Sequence, residues 1–138
     1  MSVKNDVISV MKKIFGFIIV GTNDIVTSAK FYDAIFVPLN LIQIITTKLY
    51  IGYAKKNTPS DIEFYITKPF NKEPATYGNG TQISLLVDSK EAVDKFHAIT
   101  LKNGVTNEGS PGIRSRDYYA YARDLDDNKI CVYTITSN

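Results

Sequence analysis

The sequence has few of the residues that would point to a specialised fold. Of its 138 residues, one is cysteine, Cys131, one is histidine and none is tryptophan. A single cysteine excludes a disulfide-stapled secreted scaffold, and a chain of this length buries enough surface to fold without one. The longest early apolar run, Ile14 to Val20, is far shorter than the roughly 20 residues that span a bilayer, so no membrane span is predicted.

Charge is nearly balanced, with 16 Lys and Arg against 14 Asp and Glu and a formal net charge of +2. Proteins that bind duplex nucleic acid concentrate basic residues on one surface, so no nucleic-acid partner is expected. A secretory signal would need a small-residue cleavage site after its apolar run, but Gly21 to Asp24 reads as a turn and helix cap. We therefore predict a cytoplasmic protein with no membrane partner, in which residues 1–13 form an N-terminal leader.

The first half of the chain predicts one strand, one helix and three more strands. β-Branched and aromatic residues predict the first strand at Ile14 to Val20, and Asn23 or Asp24 is a suitable helix cap. The helix is expected to end near Pro38. The three later strands, separated by Lys, Asn, Pro and Ser, are Leu41 to Thr47, Leu49 to Ala54 and Ile62 to Thr67.

The same order starts again after a polar connector. A strand at Ile83 to Val87 precedes Asp88-Ser89, which caps a second helix ending at Asn103-Gly104. The last two strands are Tyr118 to Arg123 and Ile130 to Ile135. Because an offset of 65 residues relates the two halves, two copies of one β-α-β-β-β unit are predicted.

The expected fold class is α+β, with two β-α-β-β-β modules at about 14–69 and 80–135 in a single domain spanning 14–138. One module alone would leave one face of its sheet exposed to solvent, so the two sheets are expected to pack against each other. This arrangement predicts a curled mixed sheet around a central pocket, with the helices outside.

Five short segments stand out in their order and spacing. They are Asn23-Asp24 leading into Ser28 to Asp33, Gly78 to Thr81, Val93 to Ala98, Gly109 to Arg114, and Tyr118 to Tyr121 running into Asp124 to Ile130. Together they resemble the vicinal oxygen chelate superfamily of glyoxalases, bleomycin resistance proteins and extradiol dioxygenases. The likeness covers residues 14–135 and is greatest to the glyoxalase-like, bleomycin-resistance-like branch.

The resemblance implies a small-molecule pocket that often holds a divalent metal through His and Glu. The corresponding positions here are Phe17, Gln82 and Cys131. Phe17 offers no donor, the Gln82 amide is a weak ligand, and Cys131 binds only as a thiolate, whereas zinc normally takes three protein ligands. Glu63 is interpreted as a solvent-facing carboxylate and His97 as a helix-packing residue. We therefore expect no metal and no other cofactor.

The same residues bear on the reactions of related proteins. An extradiol dioxygenase needs two His and a carboxylate, which a chain with one histidine cannot supply. A glyoxalase-type isomerase needs a metal and a proton-moving carboxylate, and both are missing from the expected positions. A nucleophilic role for Cys131 is disfavoured because Ile130 and Val132 offer no activating group. No catalytic residue is assigned, and whether the protein is an enzyme stays open.

Binding has better support in the sequence. Tyr119, Tyr121 and Arg123 alternate onto one face of a strand, and aromatic walls with a few polar groups suit a small-ligand cavity. The expected ligand-binding residues are Tyr119, Tyr121 and Arg114, and the family resemblance implies Phe17, Tyr65, Gln82 and Cys131 as further ligand-binding lining. Tyrosines that merely fill the sheet interface are the alternative.

A segment rich in Gly, Ser and Pro, Asn103 to Asp117, is interpreted as a flap over the pocket. Its residues Arg114 and Arg116 could hold a carboxylate or phosphate, which favours an anionic and partly apolar ligand. Two solvated loop charges are the alternative.

The leading hypothesis is metal-independent binding of a small aromatic or anionic molecule in the pocket between the sheets. The alternative is a metal-dependent lyase or isomerase resembling lactoylglutathione lyase, with metal ligands at other positions. A structural or interaction module with a filled interior is the third possibility. A homodimer is expected, since related proteins often pair and sheet edges need covering.

Overall fold

The computed structural model describes residues 13–136, and its secondary structure repeats once along the chain. The first module contains β1 (Ile18–Gly21), α1 (Ile25–Phe36), a 3-10 turn (Val37–Leu39), β2 (Leu41–Thr46), β3 (Tyr50–Lys55) and β4 (Ile62–Thr67). The second contains β5 (Ile83–Leu86), α2 (Lys90–Lys102), β6 (Asn107–Arg114), β7 (Asp117–Arg123) and β8 (Lys129–Thr134). The predicted pair of β-α-β-β-β modules is confirmed.

The repeat is regular through the first strand and the helix of each module. β1 and β5 begin 65 residues apart, and so do α1 and α2. The caps correspond as well, because Asp24 accepts a hydrogen bond from the Thr27 amide at 3.0 Å and Ser89 accepts one from the Ala92 amide at 3.1 Å. Each cap satisfies an amide that the first helical turn would otherwise leave unpaired.

Each module forms its own four-stranded sheet, with strand orders β1-β4-β3-β2 and β5-β8-β7-β6. β1 runs parallel to β4 and β5 parallel to β8, while the other neighbours are antiparallel. The sheets are therefore mixed, and together with the two helices they confirm the α+β class.

The hydrophobic core lies between each helix and one face of its sheet. In the first module, Tyr32, Ile35 and Phe36 of α1 pack in one cluster with Phe64 and Ile66 of β4. In the second module the core side chains are Val93 and Phe96 of α2 with Ala120, Ile130 and Val132 of the sheet. The opposite face of each sheet is covered by no helix of the described chain.

Polar contacts join the two modules at the turn before β8. The Tyr32 hydroxyl donates to the Asp124 carboxylate at 2.5 Å, and the Asn128 amide donates to the Gly21 carbonyl at 3.1 Å. Asp124 is nearly buried, and this burial raises the pKa of its carboxyl group although hydrogen bonds from Tyr32 and Asn128 oppose the shift. The turn also contains Asp127 at φ 66°, the left-handed conformation that this short polar side chain tolerates.

The prediction of a flap at Asn103 to Asp117 is wrong for most of that segment. Asn107–Arg114 is the edge strand β6, and its pairing with β7 shifts register on both sides of Gly109. Bulges at these shifts accommodate Pro111, which cannot donate to a strand ladder and is tolerated at edges and bulges. The composition typical of a loop therefore belongs to a bulged strand.

The predicted leader falls almost wholly outside the described residues. Its last residue, Lys13, forms an ion pair with Asp61 at 2.9 Å. Among residues 13–136, no helix is long and apolar enough to cross a membrane.

Candidate functional site

The sheet faces turned away from the helices carry the candidate site. Paired residues of neighbouring strands point to the same side of a sheet, so the register defines each face. On the first sheet, Tyr65 lies opposite Ile19 of β1 and Gly52 of β3. On the second sheet, Cys131 lies opposite Ser84 of β5 and Tyr121 of β7. We call these surfaces the first face and the second face.

The first face is apolar and aromatic. The ring of Phe17 packs edge-on against the ring of Tyr65 with centroids 5.1 Å apart, and Tyr50 approaches Tyr65 at 6.0 Å. Gly52 makes room for this cluster, because a Cβ atom there would lie 2.8 Å from Cε1 of Tyr65. Phe17 and Ile19 are 56% and 52% exposed, so the described chain leaves this face open.

The second face carries a row of three stacked tyrosines. Tyr119 stacks on Tyr133 with centroids 5.2 Å apart and planes at 12°, and on Tyr121 at 6.1 Å and 4°. We call Tyr119, Tyr121 and Tyr133 the tyrosine row. Its near-parallel rings form one contiguous aromatic cluster, and a further ring can pack against it face to face or edge to face.

Two cations flank the Tyr121 end of this row. The guanidinium carbon of Arg114 lies 5.2 Å from the Tyr121 ring centroid, and the ammonium nitrogen of Lys129 lies 5.1 Å from it. Both distances are within the range of cation–π attraction. The second face therefore combines aromatic surface with positive charge, which the first face does not.

Arg114 also holds the bulged edge of the sheet together. Its Nη1 donates to the carbonyls of Tyr119 and Gly112, and its Nη2 donates to the carbonyl of Ser110 at 2.7 Å. Gly109 permits this arrangement, since a Cβ there would lie 3.0 Å from both Nη2 of Arg114 and Cδ2 of Tyr121. The guanidinium thus supplies donors where the bulge and Pro111 interrupt the ladder.

Cys131 lies beneath the aromatic side chains of the second face and is fully buried. Burial raises the pKa of its thiol, and hydrogen bonds with Ser84 and Tyr121 only partly oppose that shift. Beside it, the Gln82 amide donates to the Ser84 hydroxyl at 2.9 Å. A neutral buried thiol is a poor nucleophile and a poor metal ligand.

A small pocket of about 180 Å³ lies where the two modules meet. It brings Ile19 of the first face next to Lys129 of the second face. The connector between the modules supplies Thr76, Tyr77 and Thr81 as further lining. We call this space the junction pocket.

The predicted site residues fall into two groups. Phe17 and Tyr65 contact each other on the first sheet, whereas Tyr119, Tyr121, Arg114 and Cys131 gather on the second, with Gln82 immediately before β5. Tyr133 and Lys129 also lie on the second face and are not among the predicted site residues. Alternate residues of a strand share a face, so the positions of Lys129 and Tyr133, two residues to either side of Cys131, predict that all three lie on the same face.

A comparison with one solved structure identifies the family. The crystal structure of a glyoxalase/bleomycin resistance protein from Albidiferax ferrireducens T118 is 39% identical, has a TM-score of 0.80, and covers 90% of this chain and 100% of its own. The chain belongs to the glyoxalase/bleomycin resistance protein family. This confirms the predicted superfamily. No protein-family model matches the sequence, and no curated protein matches it.

More distant structures share the fold of this family member. A glyoxalase/bleomycin resistance protein/dioxygenase family enzyme from Burkholderia phytofirmans PsJN is 20% identical with a TM-score of 0.71, covering 88% of this chain and 98% of its own. The fosfomycin resistance protein FosX from Mesorhizobium loti is 15% identical with a TM-score of 0.67, covering 91% of this chain and 95% of its own. At these identities the likeness concerns the fold.

The donors of this family member do not fit the divalent metal that the resemblance implies. Within residues 13–136, no group of three or more His, Cys, Asp or Glu could hold a metal ion. Glu63 is the extra residue at a register shift of β4, and it lines a cleft with Lys55 and Phe64. His97 is buried on α2 and contacts Asn107 Oδ1 at 3.1 Å, as a helix-packing histidine would.

Proposed function

We propose that this family member binds a small molecule with an aromatic ring and a negative charge on its second face. The observation that carries the proposal is the tyrosine row, flanked at Tyr121 by Arg114 and Lys129. Stacking on an aromatic ring contributes about 0.5–1.5 kcal/mol beyond burial of area. The two cations attract an anionic substituent in addition, which favours this class over neutral or cationic aromatics.

We further propose that binding needs no metal ion. The positions that the family resemblance assigns to metal ligands hold an aromatic ring, an amide engaged with Ser84 and a buried neutral thiol. Three such groups offer no strong charged donor, whereas zinc sites use thiolate, imidazole or carboxylate. The positive charge that a metal would supply comes from Arg114 and Lys129 in this proposal.

Ligand binding is tested by titrating the protein with a panel of aromatic carboxylates and phosphonates. Because the chain has no tryptophan and nine tyrosines, quenching of tyrosine fluorescence reports on the tyrosine row, and calorimetry gives the affinity. Tyr121→Leu is expected to weaken binding at least tenfold, whereas the matched variant Tyr50→Leu on the first face leaves it unchanged. Equal effects of both variants, or no binding by the wild type, would contradict the proposal.

Metal independence is tested on protein purified without chelator. We expect elemental analysis to find well under one equivalent of transition metal per chain, and zinc, nickel or manganese to leave the melting temperature unchanged. One tightly bound equivalent that stabilises the fold would instead favour the metal-dependent lyase or isomerase.

A further inference from the structure

Three cationic side chains lie on the second face, and their bonding differs. Arg114 donates to three backbone carbonyls. Arg123 forms an ion pair with Glu108 at 3.2 Å and donates to the Asp127 carbonyl at 3.0 Å. In the described part of the chain, the Lys129 ammonium forms no hydrogen bond and no ion pair, and its one close partner is the Tyr121 ring.

We infer that Lys129 is the residue that binds the anionic group of the ligand, and that the junction pocket receives that group. This inference rests on the proposed function and names the specificity-determining side chain of the same site. Lys129 connects the junction pocket with the tyrosine row. It lines the pocket, and its ammonium nitrogen lies 5.1 Å from the Tyr121 ring centroid.

Arg114 is the obvious competitor for this role, but its donors are already in use. Turning its guanidinium toward a ligand would break hydrogen bonds to the carbonyls of Ser110, Gly112 and Tyr119. Breaking them would leave carbonyl oxygens of the bulge without donors, at a cost comparable to what a new ion pair would gain. Arg114 therefore positions the Tyr121 ring and attracts the anion only at longer range, whereas Lys129 contacts it.

Arg123 is unsuited for a related reason. Its positive charge is already compensated by Glu108, and its guanidinium lies over the Tyr77 ring at 5.6 Å. A ligand anion would have to compete with the Glu108 carboxylate for the same donors. An ammonium group with no counter-charge gains more from an incoming anion, and a lysine is a common phosphate and carboxylate binder.

The size of the junction pocket narrows the ligand class. Pockets that hold whole drug-sized ligands measure about 300–1,000 Å³, whereas this one measures about 180 Å³. It therefore suits a carboxylate or phosphonate head group, with the aromatic ring left outside on the tyrosine row. Because Lys129 is adjacent to Tyr121, the head group is attached to the ring directly or through one or two atoms. The class is aryl or short arylalkyl carboxylates and phosphonates.

The test compares phenylacetate with its uncharged isostere phenylacetamide by calorimetry on the full chain. We expect the wild type to bind phenylacetate at least tenfold more tightly than phenylacetamide. Lys129→Met should reduce this ratio to about one while changing the affinity for phenylacetamide less than twofold. Lys129→Arg, which keeps the charge, should keep most of the ratio. Added salt should weaken phenylacetate binding to the wild type and to Lys129→Arg but not to Lys129→Met, since an exposed ion pair is screened.

The matched control is the double variant Arg123→Met/Glu108→Gln, which removes the neighbouring ion pair without changing net charge and should keep the ratio. If Lys129→Met keeps the wild-type ratio, the inference is overturned while the proposed function stands. If the wild type binds neither phenylacetate nor any carboxylate of the larger panel, the proposed function fails and the inference fails with it. Circular dichroism checks that each variant is folded. If Lys129→Met does not fold, Lys129→Gln is used in its place.

Discussion

At the scale of single residues, the hydroxyl of Tyr32 joins the two modules by donating to the buried carboxylate of Asp124. We expect Tyr32→Phe to lower the free energy of unfolding by about 1.5–3 kcal/mol at neutral pH, since this bond has an ionised acceptor. Burial raises the pKa of Asp124, and the Tyr32 hydrogen bond opposes that shift. Urea denaturation of both proteins measures the difference.

The pH dependence of this difference has a definite sign. A carboxyl group whose folded pKa is raised stabilises the fold below its unfolded pKa, and that stability is lost as pH rises through the folded pKa. Tyr32→Phe raises the Asp124 pKa further. Ionisation of Asp124 therefore lowers the free energy of unfolding more in the variant than in the wild type. The difference in the free energy of unfolding between variant and wild type should therefore widen from pH 4 to pH 7. A constant or narrowing gap would contradict this account.

Tyr53→Phe is the matched control for this variant. The Tyr53 hydroxyl also donates to a carboxylate, that of Asp33 at 2.8 Å, but Asp33 is exposed. Water can replace the lost hydroxyl there, so the loss in unfolding free energy should be smaller than for Tyr32→Phe.

At the scale of elements, the start of α2 depends on one side chain. Ser89 accepts a hydrogen bond from the Ala92 amide at 3.1 Å, and among residues 13–136 no other side chain accepts from an amide of this turn. Ser89→Ala should lower the free energy of unfolding by about 1 kcal/mol, whereas Ser89→Asp should keep it within a few tenths of a kcal/mol. Thermal and urea unfolding of the two variants measure this, and equal losses would rule out a capping role.

A second prediction at this scale concerns the hydrogen bonds of Arg114 in the edge strand β6. Arg114→Met removes the donors that satisfy three carbonyls at the bulge and should lower the free energy of unfolding by about 1–3 kcal/mol. Hydrogen exchange should increase most in β6 and β7. Lys95→Met, at an exposed position of α2, should change neither stability nor exchange, and an Arg114 variant that behaves the same way would refute the structural role.

Elements with regular periodicity could be predicted, and β6 could not. The alternation in β4 and the caps of both helices are local signals, so the strand at Ile62–Thr67 and the helix starts were correct. Gly109 to Gly112 has the composition of a turn, and it becomes a strand only because β7 supplies a partner and the bulges absorb Pro111. Long-range pairing overrides local composition at this edge.

The same distinction applies to the candidate site. The shared side of Tyr119 and Tyr121 follows from an alternation of two along one strand, which the sequence displays. The proximity of Lys129 and Arg114 to Tyr121 depends on the register of β7 against β8 and β6, which the hydrophobic pattern does not fix. The free state of Lys129 and the engaged state of Arg114 likewise depend on contacts made only in the folded chain.

At the scale of the whole molecule, the first face is left exposed by the described chain. Phe17, Ile19, Tyr50 and Ile42 are each at least 40% exposed on that sheet, and monomeric proteins rarely leave a contiguous apolar patch of this kind uncovered. We propose that a second copy of the chain covers it.

Phe17→Asp tests this proposal, because it places a charge on the first face without touching either helix-packed core. We expect light scattering after gel filtration to give a dimer mass for the wild type and a monomer mass for the variant. The far-ultraviolet circular dichroism should stay unchanged, which separates dissociation from unfolding. Leu49→Asp is the control, since Leu49 is a similarly exposed apolar residue in the β2–β3 turn, and it should remain dimeric. A monomeric wild type, or a Phe17 variant that stays dimeric, would show that the first face is not the contact between copies.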